Sequence, residues 1–408
     1  MPNLWQNSDF RRLWQGQTAS QLGEHSGLVI LPLIAVLVLN VDAGQLGALR
    51  AVGQAPIFLL SLLAGAWVDR WRTRTVMVLA DLGRALALAG VVVAAALGFL
   101  GLPALLVIAF LVGALSVLFD VAYQVFLVRL LPRDQLLRGN SAIEGSRSAA
   151  QIGGPALGGA LVSLLSAPIA AASSVVFFVV SLVSIARIRH REPVSGRSAG
   201  IPQIVEGFRF VVSEPSLRAV CFASAAFQFS FAALMTAYLI FLPRELDLSA
   251  VAVGLALAAV GPGALVGSLL AARLPSRFGY GVVLVSAALV GDGVMLLVPA
   301  VHGTMTVPAL LAINFVFGTF GQLVNVTVMA VRQAVTPEAM QGRAAATITF
   351  AGMGMTPLGS LLGGVLAGEW GLRTTILVTA AGMLLSPLSM ALSPIARLGR
   401  ELPEVSRS

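Results

Sequence analysis

The residues able to do chemistry in this chain are charges set where charges are costly. Glu24, Arg50, Asp81, Arg84, Asp120, Glu144, Arg147 and Asp292 each interrupt a long apolar run. An ionised side chain at the centre of a bilayer costs about 2.5–3.5 kcal/mol on insertion scales, so each needs a partner or a task. The tasks open to them are proton transfer, internal ion pairing and supply of a counter-charge. Asp81 with Arg84, and Glu144 with Arg147, are spaced i,i+3 with the acid first. Each couple could therefore close on one helix face. Enzymatic chemistry finds no support. His25, His190 and His302 have no metal-ligand spacing, and H-E-x-x-H and G-x-S-x-G are both absent. All 26 basic residues are arginine, which removes the P-loop lysine and with it that route to ATP hydrolysis. Arginine does not give up its proton in practice. A proton carrier here must be a carboxylate or a histidine.

The elements that hold these charges follow from composition. Of 408 residues, 57% are hydrophobic and 11% charged, and the mean hydropathy is +0.91. Soluble domains carry about 25% charged residues, so this reads as an integral membrane protein. The single Cys221 excludes an internal disulfide, and no cleavable leader is evident at the start. Apolar runs lie near 12–39, 45–68, 75–99, 102–131, 138–165 and 167–187. They resume near 216–243, 250–274, 280–301, 305–331, 340–367 and 371–394. Each is long enough to cross a bilayer. The expected architecture is an all-α membrane protein with twelve transmembrane helices in two pseudo-symmetric six-helix bundles. Residues 1–187 form the first bundle, 188–215 a cytoplasmic linker, and 216–408 the second bundle with a short cytoplasmic tail. The halves repeat weakly. Ser61-Leu62-Leu63-Ala64 returns as Ser268-Leu269-Leu270-Ala271, and Pro155-Ala156-Leu157-Gly158 is echoed by Pro357-Leu358-Gly359. Within the linker, Ile201 to Phe210 could form an amphipathic helix on the inner leaflet or remain a flexible tether.

Arginine also sets the orientation. With both termini inside, 21 arginines fall in cytoplasmic segments or at their edges, and only Arg244 and Arg373 fall outside. The expected location is the cytoplasmic (inner) membrane.

Between the second and third runs stands Gly65-Ala66-Trp67-Val68-Asp69-Arg70-Trp71-Arg72-Thr73-Arg74. It resembles the loop between helices 2 and 3 of major facilitator transporters, roughly G-x-x-x-D-R-x-x-R-R, with Gly65, Asp69, Arg70 and Arg74 in matching places. Gly154-Pro155-Ala156-Leu157-Gly158-Gly159 is similar to the antiporter signature G-x-x-x-G-P-x-x-G-G, with Ala150 in place of its first glycine. Phe10-Arg11-Arg12-Leu13-Trp14, Asp81-Leu82-Gly83-Arg84-Ala85 and Asn140-Ser141-Ala142 resemble the drug and siderophore exporter branch. That branch includes macrolide efflux proteins and the enterobactin exporter, and the likeness runs along nearly the whole chain.

The resemblance implies a secondary active transporter working by alternating access. It implies proton-coupled export of a drug-like or siderophore-like small molecule, without cofactor, metal or nucleic acid, by a monomer in the bilayer. It places the first, second, fourth and fifth spans around a cavity. Glu24, Asp120, Glu144 and Arg147 thereby become proton-coupling candidates, with Asp81–Arg84 a structural ion pair behind them. Gly65, Asp69, Arg70 and Arg74 become a gating loop, and Gly154, Pro155, Gly158 and Gly159 an antiporter-type motif. In the second half the candidate cavity wall is Phe227, Phe229, Phe231, Met235 and Tyr238, with Gln228, Asn314, Gln322 and Asn325 as polar contacts. Two alternatives stay open: an importer or facilitated carrier of a small metabolite, and a non-transporting membrane receptor or assembly factor.

Overall fold

A computed structural model describes residues 4–68, 71–189, 201–337 and 340–401, with side chains outside the description at 61–68, 133, 134, 137, 201–205 and 342. The described regular structure is helical throughout. Helices α1 (Ser8–Leu37), α2 (Ala43–Val68), α3 (Thr73–Ala96), α4 (Leu102–Leu130), α5 (Arg133–Leu165) and α6 (Ala167–Ala186) come first. After α7 (Ile201–Ser213) come α8 (Pro215–Arg244), α9 (Ala250–Ala258), α10 (Val260–Ala271) and the short α11 (Leu274–Phe278). The chain continues with α12 (Tyr280–Val294), α13 (Thr306–Val335), α14 (Gln341–Met353), α15 (Thr356–Trp370), α16 (Leu372–Met383) and α17 (Leu385–Ala391). Among the described residues, 11 helical stretches are long and apolar enough to span a bilayer. The 26-residue α2 makes the twelfth.

Four of the expected spans are interrupted, and proline accounts for each interruption. Proline lacks an N–H, and its ring collides with the carbonyl four residues earlier. Pro262 lies four residues after the end of α9 at Ala258. Pro357 stands in the same relation to Met353, the end of α14, and Pro387 to Met383, the end of α16. Four residues before Pro299 is Met295, where α12 gives way to a 3-10 turn, Met295–Ala300. By contrast α1, α2 and α5 run unbroken past Pro32, Pro56 and Pro155. Helix α13 closes at its C-cap Thr336, and Pro337 follows. The next helix starts at Gln341.

The chain divides into two compact units. One is Met1–Ala199 with Leu248–Ala258; the other is Gly200–Asp247 with Ala259–Ser408. Their internal pairings match. In the first unit α1 packs on α5 and α6, α2 on α4, and α3 on α4 and α6. In the second, α8 packs on α14–α15 and α16, α10 on α13, and α12 on α13 and α17. Shifted by six spans, these are the same pairs, which is the repeat that the short sequence echoes suggest. The segment α7 is a 13-residue helix packed on α8 and α14, so the helical alternative holds. Its Val211 is buried, Phe208 is exposed, and Glu206 meets Arg343 at 2.6 Å.

Candidate functional site

The first unit is organised around Arg84, whose side chain is fully buried. Helix α3 carries it one turn beyond Asp81, and the two form the expected ion pair with both side chains out of contact with solvent. Further donors go to Ser20 Oγ of α1 (2.9 Å) and Ser116 Oγ of α4 (3.2 Å). The guanidinium lies between two aromatic rings, 4.5 Å from the centroid of Phe119 and 4.4 Å from that of Phe178. Four helices thus contribute to holding one cation, as a buried charge requires. Arg84 also reaches a side chain that the sequence did not link to it: Glu24 Oε2 lies 3.8 Å from its Nη1.

Glu24 opens onto a cavity of about 230 Å³, walled mostly by aliphatic side chains of α1, α2 and α4. Asp120 lines the same cavity, so two of the four proton-coupling candidates come together. Arg50 lines it too, with Gln54 one turn further along α2. The Nε of Arg50 is buried without a hydrogen-bond partner among the described residues. In the sequence Arg50 lies inside the second apolar run without an evident role. Its signal was Gln54 at i+4, a second polar residue on the same helix face.

Glu144 and Arg147 lie outside that lining, although Arg147 is near enough to Asp120 and His25 for its charge to act on both. Glu144 and Arg147 are exposed on α5, and no ion pair joins them among the described residues. Of the gating-loop residues, Asp69 and Arg70 lie outside the described residues, and Gly65 falls in the last turns of α2. Arg74 is described: its Nη2 donates to the carbonyl of Ala186 at the end of α6. Arg12 does the same for Arg187 O at 2.9 Å while pairing with Asp9 at 3.0 Å. Cations at a helix C-terminus satisfy orphan carbonyls and complement the dipole.

The glycine motif on α5 serves two neighbours. A Cβ on Gly154 would come within 2.6 Å of the His25 Cβ, and one on Gly158 within 2.9 Å of Ser26 O, both on α1. A Cβ on Gly159 would instead fall 2.7 Å from the Gly254 Cα of α9. Missing side chains let α5 approach both helices closely. Pro155 sits within the seam, its carbonyl 2.7 Å from where a Gly254 Cβ would be.

The second unit holds a larger cavity, about 390 Å³, bounded by α8, α12, α13, α14 and α17. Phe227, Gln228 and Asn325 of the sequence-derived set line it. Phe231 and Phe229 are part-buried on α8 and stand outside that lining, as do Met235 and Gln322. Phe231 does belong to a stack of three rings, 5.4 Å from both Phe227 and Phe317. Tyr238 and Asn314 sit deeper and bind each other: Asn314 Nδ2 donates to the Tyr238 hydroxyl at 2.8 Å. The lining contains one acid that sequence reasoning left without a role, Asp292.

Twelve membrane helices in two six-span units with matched pairings, each enclosing a cavity with ionisable residues in its wall, define a membrane transporter of the major facilitator kind. The chain belongs to the transmembrane secretion effector family of that superfamily, whose model matches residues 4–404. Among curated proteins, the multidrug efflux pump Tap of Mycobacterium tuberculosis is 27% identical over 384 residues, 88% of this chain and 87% of the pump. Its namesake in Mycolicibacterium fortuitum is 27% identical over 377 residues, 86% of this chain and 87% of that one. An uncharacterized MFS-type transporter of M. tuberculosis is 29% identical over 357 residues, 82% and 79% of the two chains. Among solved structures, an inward-facing bacterial homologue of the iron transporter ferroportin superposes with TM-score 0.77 at 16% identity, covering 94% of this chain and 98% of that one. The nucleoside transporter NupG gives TM-score 0.73 at 14% identity, with 95% and 98% covered. At such identities the likeness to the solved structures is one of fold.

Proposed function

We propose that this transporter is a secondary active exporter in the cytoplasmic membrane. It exchanges protons for a drug-like or siderophore-like small molecule by alternating access, and both its termini are cytoplasmic. The observation that carries the reading is the pair of carboxylates, Glu24 and Asp120, on one membrane-embedded cavity. On that wall Glu24 and Asp120 lie within electrostatic reach of each other, and Asp120 also within reach of Arg84 and Arg147. A proton on Glu24 or Asp120 lowers the negative charge of the wall, and so does a cationic substrate. A site that one or the other can neutralise, but not both at once, exchanges them. Asp81 remains bound to Arg84 throughout, so Glu24 at 3.8 Å can change its charge without leaving Arg84 unpaired.

The apolar wall suits an amphipathic molecule better than a sugar, which needs many fixed hydrogen-bond partners. Relatives named as multidrug efflux pumps support the outward direction. Arg50 supports a second reading of the substrate, since its unpartnered Nε would receive an anionic or zwitterionic group such as a siderophore carries. In an efflux-deficient host, the overexpressed protein should lower accumulation of at least one lipophilic drug or dye, and an uncoupler should reverse the effect. No change across a broad panel, with uptake of a sugar or amino acid instead, would replace export by import.

A further inference from the structure

The second unit has an ionic site of its own. Asp292 is 5% exposed, and its side chain makes no hydrogen bond or ion pair among the described residues. It contributes to the wall of the 390 Å³ cavity. Arg332, also in the wall, does not neutralise it. Next to Asp292, Gly291 packs against Phe320 and Gly321 of α13. From Gly321 to Arg332 is eleven residues, about 16 Å at 1.5 Å per residue. The arginine therefore lies toward the far end of the cavity. The same wall carries hydroxyls and amides, Ser224, Gln228, Thr349 and Asn325, and the aromatic ring of Phe227.

A carboxylate withdrawn from water with no fixed partner is neutralised either by a proton or by a cation that takes the proton's place. The cavity is too large for a metal ion alone, and the described residues contain no cluster of three metal-ligating side chains. A cavity whose wall carries both an aromatic ring and a carboxylate suits a bulky, weakly hydrated organic cation. We propose that the cavity of the second unit is a recognition site for lipophilic organic cations, in which Asp292 supplies the counter-charge and Phe227 an aromatic wall. The inference rests on the transporter class and not on proton coupling or outward direction.

The test is equilibrium binding, without any gradient, of tetraphenylphosphonium and of the neutral dye Nile red to the full-length protein in nanodiscs. Tetraphenylphosphonium is a permanent cation, so its own ionisation does not enter. Asp292→Asn should weaken its binding at least tenfold and leave Nile red binding within twofold. Asn325→Asp adds a second acid at an exposed position of the same wall and should tighten tetraphenylphosphonium severalfold, an outcome available even where Asp292→Asn does not fold. Unchanged cation binding in either variant overturns the proposal. So does equal loss of both probes from a folded Asp292→Asn protein, which would mean that shape rather than charge had changed. Cation binding at Asp292 without transmembrane flux would sink the export reading and leave this site standing.

Discussion

At the scale of single residues, two couples with the same spacing meet opposite fates. Asp81–Arg84 and Glu144–Arg147 are both i,i+3 with the acid first. The first closes because both side chains are fully buried between Phe119, Phe178 and two serines, where an unpaired charge is prohibitive. The second stays apart: both members are exposed on α5, and no ion pair joins them among the described residues. Spacing was legible in the sequence; burial, which decides whether spacing matters, depends on residues far along the chain. Arg84→Ala would leave Asp81 as an isolated buried charge and should cost about 3–5 kcal/mol. Thermal unfolding in detergent should show it, and the double variant with Asp81→Asn should lose less than the sum of the two single variants. Glu24→Gln removes a carrier while keeping shape. In proteoliposomes it should abolish gradient-driven flux with substrate binding partly retained; surviving flux would move the carrier to Asp120, the other acid on that wall.

At the scale of elements, most of the helices could be read from apolar runs, and their breaks only in part. Pro262, Pro299, Pro357 and Pro387 each interrupt a helix about four residues upstream, as the lost N–H and the clash with the i−4 carbonyl demand. Pro32, Pro56 and Pro155 give the same sequence signal inside unbroken helices, so neighbours and not the proline alone decide. The glycine motif of α5 was readable as close packing, but not as packing on two partners. Gly153 on the same helix has nothing within 4 Å of its notional Cβ, whereas Gly159 has the Gly254 backbone at 2.7 Å. Gly159→Ala should therefore destabilise by about 1–3 kcal/mol through overpacking. Gly153→Ala should be neutral or slightly stabilising, since alanine is the better helix former. Melting curves of the two variants, side by side, check this, and equal behaviour would remove the seam as the explanation.

At the scale of the whole molecule, the repeat was visible as two short sequence echoes, and the structure extends it to a full set of matched helix pairs. The arginine distribution, 21 against 2, predicts that reporters fused at Ser195 and Ser408 behave as cytoplasmic. A periplasmic signal at either would overturn the orientation. What the sequence concealed is where the chain changes unit. A boundary drawn at the linker is natural for two six-span repeats, yet Leu248–Ala258 belongs with the first unit, and the crossing back falls between Ala258 and Ala259, at the break upstream of Pro262. The first unit is thus finished by a segment that is made after the linker. Cut in the linker, the protein would yield two fragments, and the later one would still carry the helix whose Gly254 lies against Gly159 of the earlier. The later fragment would then lend α9 to the earlier as an exchanged arm is lent in a swapped dimer. Co-expressed, they would copurify through α9; expressed alone, the early fragment would lack a wall for α5 and be the one cleared from the membrane.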